Sequence, residues 1–339
     1  MHYARLGDSG LIVSKYCWGA ANLGKPLPMF ASAVHLDESQ TREAVAIALD
    51  HGVNFFDTAD LYSNGEAEEI LGRSLAARRQ DIVLSSKVGL RTGEPIVHAG
   101  LSRRHILRSI DGTLKRLGTD WLDVYIVHKP DPLTPLEETL EALDRTVKDG
   151  KVRYLGYSNW PDWMVSKAVE IQKRNGWARF VTGQLYYSLI GRELEEATIP
   201  ACQDAGVGLM VWSPLAGGYL SGKYTLESRK DKGKLDEFSF VPIDRAWADK
   251  VVHVLDDIAA KHGTTPATVA LAWVAGRPAV STVLLGITRV GQLADNLAAA
   301  TLELTADDLE ALDAVSKPGE TYPHWYNRML ADQVTIGIR

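Results

Sequence analysis

The sequence alternates short apolar runs, rich in β-branched and aromatic residues, with longer amphipathic stretches, and this alternation constrains the fold more than any other feature. Runs that are apolar throughout suit parallel strands covered on both faces, and the stretches between them are long enough for crossover helices. The runs predict eight strands, near Lys15–Ala20, Val53–Phe56, Ile82–Ser86, Leu122–Val127, Val152–Tyr157, Phe180–Gln184, Val207–Trp212 and Ser281–Leu285. Gly52, Gly150, Gly176 and Gly206 stand just before strands, where a helix C-terminus turns left-handed. Ser102, Thr134 and Thr305 are expected N-caps of helices over Arg103–Leu117, Pro135–Lys148 and Ala306–Val315.

Eight strands alternating with seven or eight helices favour a closed (β/α)8 TIM barrel over an open doubly wound sheet, and 339 residues suit a single such domain with extended loops at its C-terminal face. In a closed barrel the interior is packed, so chemistry is built where several strands end. Those ends carry Asp57, Lys87, His128, Ser158 with Asn159, Gln184, Ser213 and Gly286. Chance placement of polar residues at solvated ends does not readily supply a carboxylate, an ammonium and an imidazole on three successive strands. Two connections exceed the usual length, Asn22 to Asp37 and Leu215 to Asp244, the second with a charge cluster at Arg229–Lys234. Both leave from the same face and are expected to wall a substrate pocket. A tail over 317–339, with Tyr322, Trp325 and Tyr326, is expected near the mouth or against the outer helices.

A net charge of −6 argues against nucleic acid or an anionic membrane surface as partner. No segment has the ~18 uninterrupted apolar residues of a membrane span, and Met1 to Gly10 does not resemble a secretory leader. Cys17 and Cys202 are far apart in apolar surroundings, which suits inert core thiols in a reducing, cytoplasmic setting. No zinc-spaced cluster is present, and no metal is expected.

The strand-end groups suit proton delivery to a developing alkoxide. Tyr62, five residues past Asp57, is the acid candidate. A phenol near 10 needs roughly 3–4 kcal/mol of help to work close to neutrality, and an ammonium ~4 Å away supplies about 4 kcal/mol at an effective dielectric of ~20. Lys87 is placed to be that ammonium, Asp57 to keep it charged and aimed, and His128 to donate a hydrogen bond to the substrate carbonyl as a neutral imidazole.

Six segments carry a resemblance: Asn54-Phe55-Phe56-Asp57-Thr58-Ala59-Asp60-Leu61-Tyr62, Ser85-Ser86-Lys87-Val88-Gly89, Leu122-Asp123-Val124-Tyr125-Ile126-Val127-His128, Gly156-Tyr157-Ser158-Asn159, Trp212-Ser213-Pro214-Leu215 and Gly286-Ile287-Thr288-Arg289. In this order, over roughly residues 3–315, the chain resembles the aldo-keto reductase superfamily, in its group of aryl-alcohol dehydrogenases and potassium-channel β subunits. The resemblance implies an NADP(H)-dependent reduction of an aldehyde or ketone, with Asp57, Tyr62, Lys87 and His128 as the catalytic tetrad. It also implies that Ser158, Asn159 and Gln184 hold the nicotinamide carboxamide and that Trp212 stacks on the ring. The Ser213–Lys223 loop, with Pro214, Leu215 and Gly217, then covers the pyrophosphate, with Gly19, Gly286 and Thr288 beside it. Arg289 reads the 2′-phosphate, while Gln292 and Asn296 face the adenine. Asp295 stands where glutamate is common and reaches about one methylene less far.

No Gly-x-Gly-x-x-Gly follows a strand here, so the barrel itself must hold the cofactor. The near-P-loop Gly217 to Tyr224 lacks the small hydroxyl that a magnesium site needs. Asn22, Lys129, Trp160 and Tyr187 are expected in a substrate pocket that takes a bulky, aromatic or cyclic carbonyl or a quinone. The competing class is a nicotinamide-sensing regulatory subunit, against which the lack of a long N-terminal extension weighs. The number of subunits is left open.

Overall fold

The structure is a computed structural model that describes residues 1–25, 35–225 and 241–331. The charge cluster Arg229–Lys234, the middle of both long connections and the end of the tail lie outside the described residues.

Two short strands, β1 (Tyr3–Arg5) and β2 (Ile12–Ser14), pair antiparallel with Ala4 opposite Val13. Eight parallel strands then close into a barrel: β3 (Tyr16–Gly19), β4 (Phe55–Asp57), β5 (Val83–Val88), β6 (Leu122–Val127), β7 (Val152–Ser158), β8 (Phe180–Tyr186), β9 (Gly208–Trp212) and β10 (Val280–Leu285), with β10 beside β3. They coincide with the eight expected runs to within two residues at either end. The β1–β2 hairpin is not legible in the sequence, because three residues per strand are too few for a period of two to register. It closes the N-terminal end of the barrel. Leu6 and Val13 join Cys17, Phe55, Val83, Val124, Ile126, Met210 and Leu284 in an interior cluster. Ser281 Oγ donates to the Arg5 carbonyl (2.9 Å) and accepts from Gly7 N–H (3.2 Å).

Between the first five barrel strands lie α1 (Glu38–Asp50), α2 (Glu66–Leu75), α3 (Arg103–Leu117) and α4 (Leu136–Lys148). Their apolar faces and the outward strand residues form a second core, which includes Leu84, Val88, Tyr125, Val127, Ile106 and Leu140. Ser102 caps α3 by accepting from His105 N–H, and Thr305 forms a full capping box with Asp308. Thr134 departs from expectation. Pro135 occupies the N-cap of α4 without a side-chain bond, and Thr134 Oγ1 donates instead to Asp131 Oδ2 (2.7 Å), a stronger acceptor within reach.

Alternation along each strand decides which residues reach the barrel interior. In β5 Val83 belongs to the inner cluster and Leu84 and Val88 to the outer one, so Ser85 and Lys87 face in and Ser86 faces out. In β4 Phe55 is inside and Phe56 outside, which turns Asp57 inward. Val124 and Ile126 are inside in β6, so His128, two residues on, continues the inward row.

Candidate active site

Asp57 and Ser85 are ladder partners, and Lys87 sits two residues along the same face. Both Asp57 and Lys87 are fully buried. Lys87 Nζ uses its three donors on Asp57 Oδ2 (2.5 Å), the Thr58 carbonyl (2.7 Å) and Tyr62 Oη (3.2 Å). The second Asp57 oxygen accepts from Ser85 Oγ (2.6 Å) and from Gln184 Nε2 (3.1 Å). Tyr62 is delivered by a tight turn in which Ser63, Asn64 and Gly65 all have positive φ, and Ser63 Oγ donates to the Leu23 carbonyl (2.5 Å). Non-glycine residues in that conformation are costly, so the turn is held by its surroundings. The His128 ring stands edge-on to Tyr62, with centroids 5.9 Å apart, and its Nδ1 is buried without a hydrogen-bond partner.

Burial is the largest influence on Lys87, His128 and Tyr62. It acts to lower Lys87, but the charge of Asp57 and the bond to it leave the ammonium above its ordinary value. Burial, then the Lys87 charge, hold the His128 imidazole down at about 3, so it is neutral. Burial pushes the Tyr62 phenol up, and the opposing Lys87 charge does not reverse this. The expectation that Lys87 brings the phenol toward neutrality is therefore corrected, because desolvation of the phenolate outweighs the neighbouring charge. Tyr62 keeps its proton at neutral pH, with the Lys87 ammonium beside its hydroxyl.

From Asp57 the hydrogen bonds continue around the mouth. Gln184 reaches Asp57 with its side-chain amide, and its main-chain carbonyl accepts from Ser158 Oγ (2.8 Å). Asn159 Nδ2 donates to Ser158 Oγ (2.8 Å), and Trp212 Nε1 donates to Asn159 Oδ1 (3.1 Å). The half-buried Trp212 ring lies beside Tyr186 at 5.2 Å between centroids. Past β9 the chain turns through Ser213, Ala216, Gly217 and Gly218, all at positive φ, with Gly217 N–H on Ser213 Oγ (2.9 Å). Pro214 is buried, Leu215 half-buried and Lys223 exposed. Past β10, Thr288 N–H (2.8 Å) and Arg289 N–H (3.1 Å) converge on Gln292 Oε1. Gly286, the Arg289 residue and Asp295 are exposed, and Asn296 is half-buried one turn beyond Gln292. Gly19 ends β3 opposite Asp57, and Asn22 Nδ2 joins the first loop to the last through the Ile287 carbonyl (3.1 Å). The expected cofactor residues thus stand on the last residues of β3, β7, β8 and β9 and on the loops after β7, β9 and β10, at the same end of the barrel as Asp57, Lys87 and His128.

The expected pocket residues divide. Asn22 and exposed Lys129 are at this face. Trp160 and Tyr187 are in the core: Trp160 is packed between Tyr157 and Phe180, and Tyr187 lies against Trp273 with its hydroxyl on Glu195 (2.5 Å). Both follow strand ends closely in sequence, where one residue of rotation separates mouth from core. Ser85 as a partner of Asp57, and the Gln184–Asp57 bond across 127 positions, have no sequence signal. In the tail, Thr321 N–H bonds Glu196 in the connection after β8 (3.1 Å). Among the described residues no acidic, histidine or cysteine cluster suits a metal, and no helix is long and apolar enough to cross a membrane.

Compared with known proteins, residues 17–317 match the model of the aldo/keto reductase family. The chain is 34% identical to versiconal hemiacetal acetate reductase of Aspergillus parasiticus, over 95% of this chain and 99% of that one. It is 35% identical to a probable voltage-gated potassium channel subunit beta of Oryza sativa subsp. japonica, again over 95% and 99%. With aldo-keto reductase AMT2 of Alternaria alternata it shares 33% identity over 92% and 90%.

Proposed function

The chain belongs to the aldo/keto reductase family, and from that premise we propose that it is an NADP(H)-dependent oxidoreductase that reduces a bulky aldehyde, ketone or quinone, with Tyr62 as general acid. The observation that carries the reading is the Lys87 ammonium bonded at once to Asp57 and Tyr62, with neutral His128 edge-on to the phenol. His128 orients the carbonyl oxygen. Tyr62 protonates it as charge develops, and Lys87 stabilises the phenolate that remains.

NADPH supplies the hydride when bound. The residues present fit it: the Ser158–Asn159–Trp212 chain offers amide and ring contacts, and the exposed Arg289 guanidinium suits the 2′-phosphate. Apolar Leu215, on the loop after β9, favours a bulky substrate. The test is loss of NADPH absorbance with a panel of aromatic aldehydes, quinones and cyclic ketones. Turnover of none of them by protein that binds NADPH favours a second reading, an NADP(H)-sensing subunit, which the likeness to a channel β subunit supports.

A further inference from the structure

Beside the Lys87–Tyr62 pair lies a second group of buried polar side chains that the reaction outlined above does not use. Asp60, two residues before Tyr62, is 3% exposed, and neither of its carboxyl oxygens makes a well-aligned hydrogen bond, the N–H of Leu61 being the one donor that acts to favour its ionised form. Its own N–H donates to the Lys87 carbonyl (3.3 Å), which ties its segment to the strand that carries the ammonium. Tyr125, on the outer face of β6, is fully buried with its hydroxyl unpartnered. Its ladder partner Ser86 donates to Glu68 Oε1 (2.5 Å), and Glu68, with no exposed surface, takes Arg116 Nε on its other oxygen (2.5 Å). Glu68 is thus a satisfied buried carboxylate, whereas Asp60 is a buried carboxyl with no side-chain donor. The charged and titratable groups that act on Asp60 or feel it are Glu68 from α2, Arg116 from α3, Lys87 from β5, Tyr125 from β6 and Tyr62 on its own loop.

An ionised carboxyl with a single weak donor in a dry site is costly, which favours the neutral acid. Burial first, then the charge of Glu68, push Asp60 up to about 8. Tyr62 and Lys87 lie above their ordinary values and His128 far below its own, so Asp60 titrates in a window that those three leave empty. Its negative charge acts to keep the Tyr62 proton in place.

We propose that Asp60 is a positioning residue for the reduction: its neutral carboxyl lets Tyr62 release a proton to the developing alkoxide, and its ionisation opposes that release. The inference rests on Tyr62 being the general acid. In the neutral state the Tyr62 O–H bond breaks, the substrate oxygen gains the proton, and the phenolate is left facing Lys87. With Asp60 ionised, the same step builds a second negative charge beside the first.

The test compares wild type with Asp60→Asn, an isosteric side chain that is neutral at every pH, in single-turnover reduction from about pH 6 to about pH 9.5. The wild-type rate is expected to fall about threefold to tenfold with a midpoint near pH 8, as for one neighbouring charge acting through a partly dry site. The variant is expected to stay flat within about twofold, with unchanged NADPH affinity. Superimposable profiles, or a loss in the variant that is equal at every pH, overturn the proposal, the second because it marks a merely structural role. Should the variant fail to fold, carboxyl NMR of wild type labelled with 13C-aspartate decides instead. One buried carboxyl titrating near pH 8 is expected, and titration of every Asp below about pH 6 overturns the proposal. Absence of turnover at all pH values sinks the reductase reading as well, whereas turnover with an unmoved profile sinks this inference alone.

Discussion

Replacing Tyr62 with phenylalanine removes one hydroxyl from the end of a buried hydrogen-bond chain and leaves the Lys87–Asp57 bond in place. If that hydroxyl is the acid, Tyr62→Phe binds NADPH as wild type does and loses about 10²- to 10⁴-fold in kcat, the usual size of a general-acid contribution. A variant that still reduces carbonyls within about threefold of wild type would remove Tyr62 from the chemistry. Arg289 is exposed, and its value lies in what it meets. Arg289→Ala is expected to weaken NADPH about 10- to 150-fold and NADH little, since a charge-assisted contact contributes ~1.5–3 kcal/mol and only one cofactor carries the 2′-phosphate. Quenching of tryptophan fluorescence measures both constants, and equal losses for the two cofactors would end the claim of NADP preference.

At the scale of elements, α2 carries Glu68 and follows directly on the Tyr62 turn, so its seating on α3 matters to the site. Gly72 marks the contact: a Cβ there would lie 2.4 Å from the carbonyl oxygen of Leu117, the last residue of α3. Propensity alone favours alanine by ~1 kcal/mol in a helix interior, whereas forcing a methyl against backbone costs about 1–3 kcal/mol and shifts the helices apart. Gly72→Ala is therefore expected to lower stability, read as a lower urea midpoint at unchanged slope. A higher midpoint would mean that the close approach is not maintained in solution. The β1–β2 hairpin makes the same point: its residues become meaningful only where Leu6 and Val13 complete the interior cluster.

The whole barrel is closed by β10 against β3, and the proposed cofactor residues lie on the strand ends and loops of β7 to β10, with Gly19 of β3 across that seam. A ligand held by these strand ends and loops binds only the closed barrel, so it stabilises by mass action. At about a hundred times its Kd, NADPH is expected to add about 2.7 kcal/mol, roughly 3–5 °C in Tm for a chain of this size. NADH at the same concentration should add less, and no shift with NADPH would contradict a native cofactor site on this barrel.

The strands, their inward rows and the placing of Asp57, Lys87 and His128 at the strand ends were legible in the sequence because each is local. A strand shows itself within about six residues, its side chains alternate with a period of two, and Asp57, Lys87 and His128 continue rows that begin with Phe55, Val83 and Val124. What the sequence did not contain was the outcome of sums over distant parts of the chain. Trp160 and Tyr187 went to the core because Phe180 and Trp273 are packed there to receive them. Gln184 met Asp57 only through barrel closure. Tyr62 rose where its lysine neighbour suggested a fall, and Asp60 was pushed up with it, because desolvation depends on everything that excludes water from a site, which the tertiary structure alone decides.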